Sequence, residues 1–174
     1  MRESTSARRD VLRFAATFLG LVIAFRWIVS TGPIERVLHD PLCTLIARLS
    51  GAILSPFGTA TVQGNRLAFD GFWVIVVEAC NGVLPTTIYL AAVLAFPTTW
   101  VARLWGVAIG VPTIFLLNLV RVVSLLILGA YWPAAFEQVH IYVWQTLIIA
   151  LSMGVWIFWA EYFVRPTARV GAGA

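Results

Sequence analysis

The chain has 174 residues, 60% hydrophobic and only 11% charged, with a net charge of +4 and a mean hydropathy of +0.89. A soluble domain carries roughly 25% charged residues, so this is an integral membrane protein, and residues 1–174 leave no room for a second domain. The basic residues gather at the ends and in one short loop, which orients a membrane protein and gives no sign of nucleic-acid binding. The two cysteines, Cys43 and Cys80, form no C-x-x-C, so neither a zinc site nor a thioredoxin-type motif is indicated.

The segment from Arg2 to Arg13 carries four arginines and turns apolar from Phe14 to Val29. No A-x-A-like site follows, so it reads as an uncleaved anchor helix rather than a signal peptide. Arg26 lies near its far end and can snorkel outward. His39 and Asp40 read as a loop pair. Pro41 to Phe57 bears Arg48, Ser50 and Gly51, and is too short and too polar for a confident span. It reads as an interfacial or re-entrant helix, with Cys43 packed on its apolar side.

The character then changes. Gly64-Asn65 is a hairpin-turn signal between short runs rich in Val, Thr and Phe. A small extracytoplasmic β-hairpin is expected, with Asp70-Gly71 as a second turn. The alternative is one long helix from Phe72 to Leu94. The β-branched run Val74 to Val77 argues against it. Val83–Phe96 and Leu104–Leu128 are the next apolar runs, separated by Pro97 and the Arg103 loop. Tyr131-Trp132-Pro133 closes the second. Ile141–Phe163 is the last, followed by Arg165 and Arg169. Trp144, Trp156 and Trp159 read as lipid or interface anchors.

The expected fold is therefore an all-α membrane protein. It has about four transmembrane helices, an interfacial or re-entrant helix and a small β-hairpin. The positive-inside rule puts both termini and the Arg103 loop in the cytoplasm, provided the 41–57 segment does not cross. Cys80 then precedes the second span and His140 opens the fourth, both on the outer side. Arg121 lies 17 positions after Leu104, which at ~1.5 Å per residue is ~25 Å into a ~30 Å hydrocarbon core. A thiol, a guanidinium and an imidazole from three distant segments thus reach one membrane face.

Ionisable groups at membrane depth mark functional sites by default. Imidazole can take a thiol's proton, and a nearby cation favours the thiolate. Each residue also has a bland reading. Cys80 alone is as readily a small buried hydrophobe, although Glu78, Asn81 and Gly82 are unusual neighbours for one. Arg121 alone could snorkel, yet Asn118 shares its helix face and could share a polar pocket. His140 alone reads as an interfacial polar residue. Only the company of the other two makes it a candidate base. Glu137 and Gln138 could orient it or lie in a solvated loop.

Three pieces together resemble the exosortase/archaeosortase family of membrane cysteine transpeptidases: Glu78-Ala79-Cys80-Asn81-Gly82, Asn118-Leu119-Val120-Arg121, and His140 opening the last span. The resemblance covers about residues 62–163, and the chain is similar to the short exosortase H type. Asn81 departs from the serine common after the cysteine. The resemblance implies Cys80 as nucleophile, Arg121 as catalytic arginine and His140 as proton carrier, with Glu78, Asn81 and Asn118 in support. It implies no cofactor or metal. Its substrates would be exported proteins ending in a motif, a hydrophobic helix and a basic tail. It implies a bacterial inner membrane with the site at the periplasmic face. Two other readings stay open: a membrane thiol–disulfide oxidoreductase using Cys43 and Cys80, and a non-catalytic assembly or export partner.

Overall fold

The computed structural model describes residues 2–164; the basic tail expected at Arg165 and Arg169 lies outside them. Helix α1 spans Arg2–Val29 and α2 spans Gly32–Leu54. The chain breaks between them at Thr31, which is extended, and Pro33 sits in the first turn of α2, where a missing N–H costs nothing.

The expected loop at His39–Asp40 is absent. Both residues, and Pro41, lie inside α2. The reason is a continuous buried stripe. His39, Cys43, Ile46, Ala47, Ser50 and Leu54 recur at helical spacing and are all buried. An internal proline costs about 3 kcal/mol, and burying Ile46 and Leu54 alone returns about 1.5–3 kcal/mol each. The stripe packs on the sheet through Leu67 and Phe69, and on α4 through Leu119, Val122 and Leu126.

The sheet is a three-stranded antiparallel meander, β1 (Ala60–Gln63), β2 (Arg66–Phe69) and β3 (Phe72–Ile75), in that order. It contains the expected hairpin and extends it by one strand. Its turns fall at the two expected dipeptides. Gly64 alone has positive φ in the first, whereas Asp70 and Gly71 both do in the second. These patterns suit type II′ and type I′ hairpins, whose twist matches that of the strands. The strand at Phe72–Ile75 excludes the long-helix alternative.

A short 3₁₀ turn, Glu78–Cys80, leads into α3 (Val83–Ala95). Pro97 follows, and α4 runs from Trp100 to Tyr131. After Trp132 comes one helical path: α5 (Pro133–Gln138), a π turn (Val139–Trp144), α6 (Gln145–Trp159) and a second π turn (Ala160–Val164).

Among the described residues, four helical segments are long and apolar enough to cross a membrane: Arg8–Val29, Gly32–Leu54, Trp100–Tyr131 and Pro133–Val164. The protein is a multi-pass membrane protein with a small sheet. Three of these segments coincide with expected spans. The expected span at 83–96 is the 13-residue α3, about 20 Å long. The 41–57 segment instead belongs to the longer α2. That helix packs mainly on the sheet and on α4, with only a minor contact to α1.

Small residues set the helix packing. Ala102, Gly106 and Gly110 form a stripe along α4 at four-residue spacing, and all are buried. Tyr89 of α3 lies over Gly110 and donates its hydroxyl to the Gly106 carbonyl at 2.9 Å. Trp159 lies over Gly106 and donates its indole N–H to the Ala102 carbonyl at 2.6 Å. Close approach over small residues is how membrane helices gain van der Waals contact. Trp159 is therefore fully buried, not the lipid anchor expected, because the glycine notch takes its ring. Trp156 packs edge-on against Phe96.

A Cβ at Gly110 would meet the Tyr89 ring. Gly110→Val is therefore expected to destabilise the fold by about 1–3 kcal/mol or more, read as a lowered melting temperature in detergent. Gly154→Ala, where nothing stands within 4 Å, should not lower it. Equal stability of Gly110→Val and the parent would contradict this packing.

Candidate active site

The site is built at the end of the bundle where β3 hands over to α3. Val76 is buried and Val77 is extended, and the chain then turns at Glu78–Cys80. The Cys80 N–H donates to the Val77 carbonyl at 2.8 Å. Asn81 ends the turn, and its Oδ1 accepts from the Val83 N–H at 3.0 Å, satisfying a donor in the first turn of α3. Gly82 has φ +78, in the left-handed region, and a Cβ there would stand 3.3 Å from the Asn118 side chain. Backbone conformation and space both call for glycine.

Helix α4 supplies two buried polar residues on one face. Asn118 donates from Nδ2 to the Cys80 carbonyl at 2.6 Å. Arg121, one turn later, is 5% exposed. It does not snorkel. Its Nε has no hydrogen-bond partner among the described residues, so the guanidinium retains donor capacity at the site.

His140 arrives from the π turn. Its Nε2 is 3.5 Å from the Cys80 Sγ. An aromatic chain holds the ring in place: His140 packs tilted against Phe136 at 5.7 Å between centroids, and Phe136 against Phe72 of β3 at 5.2 Å. Phe72 in turn lies on Gly129, where a Cβ would meet its ring. A π turn inserts one residue and rotates the side chains that follow, a device common at functional sites. Glu137 and Gln138 are exposed and end α5, so they belong to a helix and not to a loop.

The other three expected residues also reach this end. Asn81 is buried and contacts His39 and, at 3.8 Å, the Cys43 Sγ. Glu78 is half exposed, with its carboxylate 3.7 Å from His39 Nε2 and 3.9 Å from Arg26. Its partners are these two residues and not the thiol. His39 is the residue that sequence reasoning missed. The available signal was its four-residue spacing from Cys43, which puts both on one helix face.

A cavity of about 420 Å³ opens beside this cluster. Ala79, Gly82, Asn118 and Arg121 form its head. Below them it is apolar, running between α1, α3 and α6 past Phe18, Leu84, Ile88, Ile149, Met153 and Trp156. The ten steps of rise from Gly82 to Ala92, both of which line it, make it about 15 Å long. Among the described residues no three His, Cys, Asp or Glu side chains are grouped to hold a metal ion.

A membrane protein with a thiol and an imidazole in contact, beside a buried guanidinium that lines an apolar slot, has the parts of a cysteine acyl-transfer enzyme. The family model for transmembrane exosortases matches residues 6–159. The chain belongs to the transmembrane exosortase family, which suggests a membrane transpeptidase or protease role. No curated protein and no solved structure matches it.

Burial pushes the Cys80 thiol above the usual cysteine range, and Arg121 and the Val77 backbone pull it back only in part. The resting thiol is thus protonated at neutral pH and needs a base. In membranes, alkylation of Cys80 by iodoacetamide is expected to rise with pH, with its midpoint above the ordinary thiol range. Arg121→Met should move the midpoint further up, since it removes the charge that favours the thiolate. A midpoint below the ordinary range would contradict this electrostatic balance.

Proposed function

We propose that this protein is a cysteine transpeptidase or protease that removes the C-terminal sorting signal of exported proteins at the periplasmic face of a bacterial inner membrane. The single observation that carries the reading is the 3.5 Å contact of Cys80 Sγ with His140 Nε2 beside buried Arg121, which itself lines the apolar slot. His140 takes the thiol proton, and the Cys80 thiolate attacks the scissile carbonyl. Arg121 stabilises the oxyanion, and the His140 imidazolium returns its proton to the departing amine. The resulting thioester is resolved by water, or by an amine or hydroxyl acceptor.

The slot supports a helical tail as the departing part. Apolar side chains from α1, α3 and α6 line it along its length, so it offers an apolar face to the side chains of a tail helix lying in the bilayer. Orientation follows from charge. Phe14 of α1 meets Phe96 near the start of α4, and the Arg103 side chain donates to the Phe96 carbonyl. Arg8, Arg9, Arg13 and Arg103 thus gather towards the end opposite Cys80, which the positive-inside rule assigns to the cytoplasm.

Two experiments test this. Cys80→Ala should insert normally and leave the tail on a co-expressed exported reporter that ends in a motif, an apolar helix and a basic stretch. Arg121→Lys keeps the charge but loses the planar fork, and should slow processing at least about tenfold. Normal processing by Cys80→Ala would end the enzyme reading. Topology reporters at Gly64-Asn65 and after Tyr131 should read periplasmic, and one after Pro97 cytoplasmic. A periplasmic signal after Pro97 would reverse the placement of the site.

A further inference from the structure

The turn that carries Cys80 has no strand or regular helix to hold it. It is tied to three helices: to α4 through Asn118, to α1 through Arg26 and Glu78, and to α2 through His39. The Arg26–Glu78 pair is half exposed, and pairs of that kind contribute little. The α2 tie is different. His39 is 6% exposed and Asn81 is 2% exposed. A buried polar pair is costly unless its geometry is satisfied, so it is specified strongly.

The hydrogen-bond roles at this tie follow from the groups around it. Asn81 Oδ1 is taken by the Val83 N–H, so the amide is oriented with Nδ2 towards His39. Nδ2 can only donate, so His39 Nδ1 accepts and the ring proton sits on Nε2. That Nε2 lies 3.7 Å from the Glu78 carboxylate, an electrostatic contact beyond hydrogen-bond reach, and has no hydrogen-bond partner among the described residues. A carboxylate, an imidazole of fixed tautomer and an amide thus run in sequence, and the amide belongs to the residue next to Cys80. Glu78 and Asn81 flank Cys80 in the chain, so one ring is hydrogen-bonded on the Asn81 side of the turn and faces the carboxylate on the other.

We propose that His39 is a positioning residue for Cys80. It clamps the turn from Glu78 to Asn81 so that the thiol faces His140, and it touches neither substrate nor the reacting atoms. The proposal rests on the transpeptidase reading for its meaning in catalysis, but the clamp itself is a statement about the thiol. Asn81 meets α2 at two residues of one helix face, His39 and, at 3.8 Å, the Cys43 Sγ.

The test uses the full chain in membranes with Cys43→Ala, which leaves Cys80 as the one thiol. Two rates are measured per inserted molecule: alkylation of Cys80 by iodoacetamide, and tail removal from the reporter. His39→Met fills the ring volume without an acceptor and should lower both rates at least tenfold, mainly in kcat for processing. His39→Gln restores an acceptor and a donor and should recover at least half of the parent rate. Asn81→Leu removes the same tie and also the acceptor of the Val83 N–H, so it should be at least as slow as His39→Met, and the double variant should be no slower than Asn81→Leu. The proposal is overturned if His39→Met runs at parental rates, if His39→Gln is as slow as His39→Met, or if the losses of His39→Met and Asn81→Leu multiply. A drop in inserted protein with unchanged rates per molecule also overturns it, since that describes a structural role alone. Alkylation reads the clamp without any substrate, so a failed transpeptidase reading appears only in the processing arm.

Discussion

The site depends on one hydrogen bond, from the Asn118 amide to the Cys80 carbonyl at 2.6 Å. Cys80 sits where the sheet has ended and α3 has not begun, so its carbonyl has no ladder or helix partner. Leaving such a group buried and unpaired costs about 1–3 kcal/mol. Asn118 removes that cost and at the same time fixes the turn to α4. Arg121 stands one turn further along the same helix. The separation of thiol and guanidinium is therefore set by a rigid element, and not by the loop.

The rest of the fold keeps α4 where that bond needs it. At one end, the Ala102–Gly106–Gly110 stripe takes Tyr89 and Trp159 and locks α3 and α6 to α4. At the other end, Leu119, Val122 and Leu126 pack beneath α2 and the sheet. The sheet has a second use, since Phe72 begins the aromatic chain that ends at the His140 ring. Thiol, guanidinium and imidazole come from three segments, and all three are referred to α4: the guanidinium directly, the thiol through Asn118, and the imidazole through Phe136, Phe72 and Gly129. Between these two packed regions lies the apolar slot, bounded by α1, α3 and α6. A polar head on an apolar groove suits a substrate whose reactive bond lies at the membrane surface and whose remainder lies in lipid.

Much of this was legible in the chain. Cys80, Arg121 and His140 stood out because ionisable groups are costly in apolar runs, and the structure brings them together with Asn118. The turns at Gly64-Asn65 and Asp70-Gly71 were legible because positive φ favours those residue types. Other features depend on tertiary contacts that no local pattern reports. Pro41 suggested a break and left His39 in a loop, yet the buried stripe of α2 outweighs one proline. Trp159 looked like a lipid anchor because an indole suits an interface, and only its position against Gly106 shows where the ring goes. The apolar run at 83–96 has the composition of a span, but the turn before it and Pro97 after it leave α3 with 13 residues.

The most direct measurement is a search for the acyl-enzyme. Purified protein in detergent is mixed with a peptide comprising the sorting motif and the start of its apolar helix, quenched in acid, and mapped by mass spectrometry. A thioester on Cys80, released by hydroxylamine and missing from Arg121→Met, is the predicted result. An adduct on Cys43, or cleavage of the peptide with equal yield by Cys80→Ala, would contradict the account.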